Sequence, residues 1–277
     1  NQDIPLTEAQ SSVYEKIHES LETGQSKPFL LHGVTGSGKT QIYLKAAQET
    51  IAKDKIVIIL VPEIALTTQI VKRFVERFGQ EVVVFHSQLT KGARYNNWER
   101  LRRKDSHIII GARSAIFAPT EDIGLIVVDE EHDPSYKQQD MTRYDARKVA
   151  EWRSEANGCP LIFGSATPSI AAYYKAQQGE YELLSLQHRI FHQPMPKVSV
   201  IDMKEEMFYG NYSVFSSAMH TLIYETLQKG EQAILLLNRR GHSTFVMCRE
   251  CGKSIQCPHC DISMVYHRAG QDLHCHY

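Results

Sequence analysis

The stretch GVTGSGKT, residues 33–40, has the residue types that bind phosphate groups. It follows the apolar run FLLHG and opens a stretch with helical periodicity. Glycines let backbone N–H groups wrap around phosphate oxygens, and the start of a helix adds a positive dipole. We predict that Lys39 reaches the β- and γ-phosphates of a nucleotide and that Thr40 places its hydroxyl on Mg²⁺. The predicted nucleotide-binding residues here are Gly33, Val34, Thr35, Gly36, Ser37, Gly38, Lys39 and Thr40.

A second apolar run ends in acidic residues, in the sequence LIVVDEEH at 125–132. If this run is a strand of an open α/β sheet, Asp129 lies at the carboxyl edge, where ligands bind in such folds. Asp129 is expected to hold Mg²⁺, directly or through water, and Glu130 to polarise an attacking water. Acids at strand ends are often only solvated. The candidate catalytic set of Lys39, Thr40, Asp129 and Glu130 therefore depends on both motifs lying in one sheet.

Cysteine pairs suggest a metal site near the end of the chain. Cys248, Cys251, Cys257 and Cys260 form two Cys-x-x-Cys pairs within thirteen residues, and Cys275 follows. Such pairs place two thiolates on one tight turn, and two pairs can complete a tetrahedral Zn²⁺ shell. The simplest assignment from spacing is one zinc ion held by the first four cysteines, with free thiols as the alternative.

The composition is that of a globular protein, with 42% hydrophobic and 23% charged residues among 277. Lys and Arg number 31 against 32 Asp and Glu, so any site for a polyanion must be local. No apolar run approaches the roughly 20 residues of a membrane span, and the first residues lack a signal-peptide pattern. We therefore expect a cytoplasmic protein, in which paired cysteines are more often metal ligands than disulfides. The isolated Cys159 is predicted to be a small core residue.

The pattern of residues 1–178 predicts the scaffold that positions these motifs. Apolar runs without alternation are typical of parallel strands buried on both faces, and they alternate here with helical segments. The predicted fold is a doubly wound, parallel α/β sheet. The predicted strands are FLLHG, IVIILVP, EVVVFHS, HIIIGA, GLIVVDE and PLIFGSA; the predicted helices are one after a Thr7 cap and those at 39–53, 64–78, 90–103 and 143–156.

The alternation of strand and helix patterns ends after this region. Residues 188–213 contain two prolines and no clean period, so they are predicted to be a connector. Residues 214–230 predict a helix that Gly230 ends. The run QAILLLNRRG, residues 232–241, predicts the first strand of a second α/β unit.

The sequence GSATPS at 164–169 adds a third motif. In the order phosphate loop, DEEH and SAT, the chain resembles the superfamily-2 helicases, whose first RecA-like lobe carries these as motifs I, II and III. The resemblance implies ATP and Mg²⁺ as cofactors, and it implies that Ser165, Ala166 and Thr167 relay the nucleotide state. It also implies that LVPEIALTTQI (60–70) and GARSAIFAP (111–119) contact a nucleic-acid strand. Arg113 and Ser114 suit phosphate contacts that do not read sequence, although alone these loops would be ordinary turns.

Aromatic and basic residues interleave just after DEEH. They are Tyr136, Lys137, Arg143 and Tyr144. Aromatic rings stack on bases of any sequence and cations hold phosphates, so we predict a DNA-binding loop that reports DNA occupancy to the ATP site. The alternative is a surface loop in which Tyr144 packs on its own helix.

Gln10 lies 23 residues before Gly33 and has two candidate roles. Some helicases of the superfamily use an upstream Gln to read adenine. Thr7-x-x-Gln10 also fits a capping box, in which the Gln serves only its own helix. We predict the adenine role and keep the cap as the alternative.

A closer resemblance emerges from five segments taken together. DEEHDPSYKQ, RYDARKVA, GSATPS and LLLNRRGHS leading into CRECGKSIQCPHC strongly resemble the PriA family of bacterial replication-restart helicases, over essentially the whole chain. The resemblance implies an ATP-dependent 3′→5′ DNA helicase that acts on forked or single-stranded DNA. It also implies single-stranded-DNA-binding protein and helicase-loading primosome proteins as partners, and no membrane.

Two other hypotheses are considered, the first of them from a different functional class. One is a zinc-dependent scaffold that binds DNA and partners around a vestigial nucleotide fold. The other is a different DNA or RNA translocase of the superfamily. The intact set of Lys39, Asp129 and Glu130 argues against the scaffold, and the cysteines directly after NRRG argue against the other translocase.

The PriA resemblance also changes the expected zinc chemistry. It implies two zinc ions with interleaved ligand pairs, in which Cys257, Cys260 and Cys275 share the inner site. Cys248 and Cys251 then belong to the outer site. His259, His274 and His276 could substitute as ligands, although each is more often a polar surface residue. Because ligands and the second-lobe arginine are missing, we expect a fragment with lobe 1 at 1–186, a connector and start of lobe 2 at 187–247, and a cysteine segment at 248–277.

Overall fold

The computed structural model describes residues 5–24, 27–62, 69–86, 89–140, 142–190, 194, 196–236, 248, 253–260, 262–267 and 272–275. The chain forms two compact units, Asn1–Met195 and Pro196–Tyr277.

The first unit is built on a seven-stranded parallel sheet with the strand order β3-β4-β2-β5-β6-β1-β7. The strands are β1 (Phe29–Gly33), β2 (Ile56–Leu60), β3 (Val82–Phe85), β4 (Ile108–Gly111), β5 (Ile123–Asp129), β6 (Leu161–Ser165) and β7 (Glu182–Leu186). Every residue of β2, β4 and β6 is buried. Helices cover both faces of the inner strands, which explains why these segments are apolar throughout rather than alternating. The predicted parallel α/β sheet is confirmed.

The helices of this unit are α1 (Glu8–Thr23), α2 (Lys39–Ala52), α3 (Gln69–Phe78), α4 (Lys91–Arg102), α5 (Ala146–Asn157) and α6 (Ile170–Gln177). Thr7 caps α1 as predicted. The helix predicted at 143–156 begins later, because Asp145 caps α5 and Arg143 has a left-handed φ of 40°. Residues 64–68 of the predicted third helix lie outside the described residues. No described helix is long and apolar enough to cross a membrane.

Side chains from both faces of the sheet form the core. Ile17, Tyr43 and Phe74 are fully buried on one face, and Phe163 is buried on the other. Cys159 belongs to this second cluster, as predicted, and burial raises the pKa of its thiol to about 12. The two clusters hold the strand ends that carry the motifs in fixed register.

Strand β7 and helix α6 are absent from the sequence-based prediction. β7 pairs with β1 at the edge of the sheet, and its side chains alternate between buried and exposed. An edge strand is covered less than an inner strand, so its sequence lacks the continuous apolar run by which the other strands are recognised. β7 matters for function because its last residue, Leu186, accepts a backbone hydrogen bond from Val34 in the phosphate loop.

The second unit contains helices α7 (Met203–Phe208) and α8 (Ser217–Gln228) and a hairpin of β8 (Val265–His267) and β9 (Asp272–His274). The predicted helix is confirmed as α8, with Ser216 as its cap and Gly230 at a left-handed φ of 70° beyond its end. The short α7, capped by Asp202, lies in the predicted connector.

The strand predicted at 232–241 is wrong in its described part. Residues 231–236 form no strand, and Ile234 is 96% exposed. A buried parallel strand needs neighbours for its backbone hydrogen bonds, and the described residues of this unit pair only within the cysteine region. Residues 237–241 lie outside the described residues.

Candidate nucleotide-binding and metal sites

The predicted phosphate loop connects β1 to α2 and requires its glycines. Gly36 and Gly38 have left-handed φ angles of 82° and 84°. A Cβ on Gly38 would lie 2.2 Å from Gln10 Nε2, and one on Gly33 would lie 2.6 Å from Ser37 Oγ. The loop thus has room only for backbone at these positions, and the N-terminus of α2 opens directly onto it.

Polar groups at this loop fit the phosphates of a nucleotide. Lys39 Nζ donates to Gly33 O at 2.8 Å, so the ammonium group is folded over the loop. Ser37 Oγ and Arg189 Nε are buried and lack a hydrogen-bond partner within the described part of the chain. Arg189 lies beside the loop, since its Cγ is 3.8 Å from a Cβ built on Gly36. Anionic oxygens would satisfy these donors. Thr40 is half-buried at the first turn of α2.

Asp129 ends β5 and faces the same sheet edge. Burial, with the neighbouring charge of Glu130, raises the pKa of the Asp129 carboxyl to about 6. Tyr43, from α2, donates to Asp129 Oδ1 at 3.1 Å. Position 164 requires glycine, because a Cβ on Gly164 would lie 1.7 Å from the Tyr43 hydroxyl. A bound divalent cation would stabilise the carboxylate that burial disfavours, which fits Mg²⁺ at this position.

Hydrogen bonds join the DEEH and SAT motifs. Glu130 has a left-handed φ of 47°, so the chain turns sharply after Asp129. His132 Nδ1 lies 2.8 Å from Ser165 Oγ, which also accepts from Thr167 N at 3.0 Å. Ala166 lies half-buried between these two residues. Of the three predicted coupling residues, Ser165 therefore contacts the acidic motif directly, and Thr167 is bonded to Ser165.

Glu131 is a residue that the sequence reasoning missed. It is 1% exposed, and its carboxylate accepts from Ser169 N at 2.6 Å and from Ser169 Oγ at 3.0 Å. Ser169 also caps α6. Arg147 donates to the Glu131 carbonyl at 2.8 Å. One buried carboxylate thus ties the end of β5 to the start of α6.

Gln10 makes the capping-box contacts and one further contact with the phosphate loop. Its Oε1 accepts from Thr7 N at 2.9 Å, which completes the capping box. Its Nε2 donates to Ser37 O at 2.9 Å, which places the amide against the phosphate loop. The cap is confirmed, and the adenine role stays a prediction.

The predicted DNA-contact residues lie on neighbouring loops. Arg113 and Ser114 are in a 3₁₀ helix, Arg113–Phe117, directly after β4. Arg113 Nη1 donates to Ser135 O at 3.2 Å. Lys137 and Arg143 are exposed on the loop between β5 and α5. Residues 63–68 of the other predicted contact segment lie outside the described residues.

The two tyrosines of this loop differ in exposure. Tyr136 is fully buried and its hydroxyl donates to Asp129 O, so it packs under the loop and cannot stack on a base. This corrects the predicted role of Tyr136. Tyr144 is half-buried, and its ring meets Phe117 edge-to-face at 4.9 Å. Tyr144 therefore packs on the 3₁₀ helix rather than on α5.

Three cysteines come together in the second unit. The Sγ atoms of Cys257, Cys260 and Cys275 lie within 4.8 Å of one another, with 3.3 Å between Cys260 and Cys275. The backbone N–H of His259 lowers the pKa of the Cys257 thiol. Three convergent sulfur atoms are the kind of donor set that binds a zinc ion. Cys248 is described but lies outside this group, and Cys251 lies outside the described residues.

No histidine within the described ranges joins these sulfurs. His274 Nε2 instead lies 3.0 Å from Asp272 Oδ2. His259 contributes its backbone N–H as described above, and His276 lies outside the described residues.

Comparison with known proteins identifies the family. The DEAD/DEAH box helicase family matches residues 7–175, and the PriA DNA helicase Cys-rich region domain matches residues 257–277. Replication restart protein PriA of Bacillus subtilis (strain 168) is 55% identical over 99% of this chain and 34% of the relative. The same protein of Synechocystis sp. is 47% identical over 90% of this chain and 31% of the relative. The chain thus spans about a third of the length of these relatives.

A solved structure shares the fold. The structure of RecG bound to a three-way DNA junction matches with a TM-score of 0.50 and 18% identity, over 82% of this chain and 32% of that chain. This likeness and the parallel sheet confirm the predicted RecA-like architecture. With the phosphate loop, DEEH and SAT motifs assembled at one sheet edge, the chain belongs to the DEAD/DEAH box helicase family.

Proposed function

We propose that this chain is the nucleotide-binding part of an ATP-dependent 3′→5′ DNA helicase that restarts stalled replication forks. The observation that carries the proposal is the placement of Lys39 and Asp129 at one edge of the sheet, next to donors that fit phosphate. In this proposal lobe 1 comprises residues 1–186, a connector and the start of lobe 2 comprise 187–247, and a zinc segment comprises 248–277.

Each functional residue at the sheet edge has its own role in ATP hydrolysis. Bound ATP would supply the scissile phosphoanhydride bond, and Mg²⁺ would neutralise the charge on its phosphates. Lys39 exchanges its bond to Gly33 O for a phosphate oxygen, and the loop N–H groups hold the other oxygens. Thr40 and Asp129 hold the cation. Glu130 orients the attacking water and accepts its proton.

The proposed DNA-binding surface consists of the 3₁₀ helix and the loop after β5. Arg113, Ser114, Lys137 and Arg143 bind the phosphates of a single strand or fork arm, without reading sequence. Single-stranded-DNA-binding protein and helicase-loading primosome proteins are the proposed partners. Ser165 and Thr167, through His132, relay the state of the nucleotide.

For zinc, we propose the interleaved arrangement. Cys257, Cys260 and Cys275 hold the inner ion, and Cys248 and Cys251 belong to the outer one. The grouping of three sulfurs without Cys248 supports this over one site of four sequential cysteines. Elemental analysis of the full-length protein tests it: two zinc ions per chain are expected, and one would favour the simple site.

The decisive experiment measures phosphate release from ATP by the full-length protein. Single-stranded DNA should stimulate release, and Lys39→Ala should lower the stimulated rate by at least about 100-fold, as expected for loss of a charge that contacts the transferring phosphate. Lys45→Ala is the matched control, because Lys45 is an exposed lysine on the same helix. It should leave the rate unchanged.

Two outcomes would contradict the proposal. Stimulated release that survives Lys39→Ala would show that the phosphate loop is not the site of hydrolysis. No release from the intact protein would favour the second candidate, a zinc-dependent scaffold that binds DNA without turnover.

A further inference from the structure

A cleft opens at the carboxyl ends of β3 and β4, toward the edge of the sheet away from the phosphate loop. It lies between α4 and the 3₁₀ helix Arg113–Phe117 and encloses about 330 Å³. This volume is within the range of roughly 300–1,000 Å³ typical of sites for small organic groups. The side chains that matter here are Arg94, Trp98, Arg113, Ser114, Phe117 and Tyr144.

Aromatic rings and cations dominate the lining. Trp98 is 43% exposed and Phe117 is 54% exposed, so two large rings present open faces or edges to solvent. Tyr144 fixes Phe117 from the side through their edge-to-face contact. Arg94 and Arg113 add positive charge, and none of the described residues that line the cleft is acidic. Exposed aromatic rings beside guanidinium groups are the chemistry of a platform for stacked bases.

The position of the cleft indicates which ligand it binds. Arg113 and Ser114 form one wall, and both are proposed to bind the phosphates of a DNA strand. A strand whose backbone lies on this wall carries its bases within a nucleotide's length of the rings. Since Arg113 is held by Ser135 O and Tyr144 by Phe117, the wall exists before DNA arrives.

We propose that this cleft binds one unstacked nucleobase of the single strand, with Trp98 as its stacking surface. The inference rests on the proposed function, because it assumes that DNA passes over Arg113 and Ser114. Stacking uses the π-face that every base has, so the cleft accepts any base. It adds a base contact to a surface otherwise expected to touch only phosphates.

The two tryptophans of the chain allow a direct test. Trp98 lies in the cleft, whereas Trp152 is 67% exposed on α5 and outside it. Stacking of a base on indole quenches its fluorescence. In the 277-residue chain, saturating oligothymidylate should quench the emission of Trp152→Phe, whose remaining indole is Trp98. The emission of Trp98→Phe should not change.

A strand without bases provides the second arm. An abasic deoxyribose-phosphate oligomer should bind without quenching either variant. Trp98→Ala should weaken oligothymidylate binding by about 5- to 150-fold, the loss expected for one stacked base, and should affect the abasic strand less. Trp98→Phe retains a ring and should bind oligothymidylate more tightly than Trp98→Ala, which separates loss of stacking from loss of folding.

DNA binding is measured separately, by the anisotropy of a labelled oligomer. Binding without quenching in Trp152→Phe, or equal quenching in both variants, would overturn the base-binding cleft and leave the proposed function intact. Failure of the intact chain to bind any strand would contradict both the cleft and the proposed DNA surface of this chain.

Discussion

The two candidate ligand sites of this chain are built in different ways. The phosphate loop lies between a buried strand and a helix whose Ile42, Tyr43 and Leu44 are all buried. The cysteine group lies beside a hairpin of two three-residue strands. Among the described residues of 196–277, only Ser216 and Cys257 are buried. Hydrophobic burial therefore fixes the shape of the phosphate loop, whereas the cysteine group lies in a part of the chain that buries few of its described side chains.

This difference predicts whether each site is formed before its ligand binds. A loop fixed by a core keeps its shape without ligand, because the free energy of folding maintains it. A small cysteine-rich segment instead gains much of its folding free energy from the metal. We expect the phosphate loop to be preformed and the cysteine group to form with zinc. Four changes test this comparison.

Removal of the metal should have the largest effect. Structural zinc contributes on the order of 10 kcal/mol to small cysteine-rich segments. We expect Cys257→Ser, or a strong chelator, to release zinc and abolish the protection of amides in 253–275 from hydrogen exchange. Amides in β1, β5 and β6 should keep their protection, because their contacts lie in the other unit.

Cys159→Ala is the control for this experiment. Cys159 is a buried thiol in the core of the α/β unit and is far along the chain from the other cysteines. The variant should retain its zinc even if it is less stable. Loss of exchange protection in the central strands upon chelation would contradict the division between the two sites.

The second change concerns the charge that the core holds at Asp129. Its folded pKa of about 6 exceeds the unfolded value near 3.8, so ionisation costs the folded state about 3 kcal/mol above pH 6. In the absence of nucleotide and Mg²⁺, Asp129→Asn should raise the stability at pH 8 by up to about this amount. The gain should fade as the pH falls from 6 to 4, where the aspartate becomes protonated in both states.

Urea unfolding across this pH range measures the effect. Asp105→Asn, at an exposed position, should show no such gain. The same Asp129→Asn substitution should abolish ATP hydrolysis, since the amide cannot hold the cation. Destabilisation by Asp129→Asn at pH 8 would contradict the interpretation of a strained, preformed site.

The contrast between the two units also explains what the sequence could predict. Inner strands such as β2 and β5 were evident because burial on both faces demands uninterrupted apolar residues. The run at 233–236 is also apolar yet is exposed, because pairing partners decide whether such a run becomes a strand. An apolar composition indicates that a segment favours burial, but it does not show whether neighbouring strands are present to pair with it.

The functional residues divide in a similar way. The phosphate loop was predictable because glycine spacing and a following helix define its backbone. Glu131 was not, because its burial depends on hydrogen bonds from Ser169, which lies 38 residues later in the chain. The burial of Tyr136 likewise depends on a hydrogen bond to Asp129 O, which no local pattern encodes.

The third change tests the stiffness of the first site through the Glu131–Ser169 contact. Glu131→Gln and Ser169→Ala should each cost about 1–2 kcal/mol, because each leaves a buried group with fewer hydrogen bonds. The double variant should cost less than the sum by about 1 kcal/mol. The DNA-stimulated rate should fall more than the basal rate if the contact couples DEEH to SAT.

A cap in the other unit provides the control pair. Ser216 caps α8 in the same way as Ser169 caps α6, and no described contact joins Ser216 to Glu131. Ser216→Ala combined with Glu131→Gln should therefore be additive. Additive costs for Glu131 and Ser169 as well would show that their contact contributes no coupling.

The smallest effect separates the two roles of Gln10. Thr7→Ala removes only the cap of α1 and should cost about 1 kcal/mol of stability without changing nucleotide affinity. Gln10→Ala removes the cap partner and also the bond to Ser37 O, so its stability loss should be similar or slightly larger. If Gln10 reads adenine, only this variant should lose affinity for ATP relative to GTP, by about 5- to 10-fold, the worth of one hydrogen bond. Equal nucleotide affinities in both variants would leave Gln10 as a helix cap that supports a preformed loop, and would locate adenine recognition elsewhere.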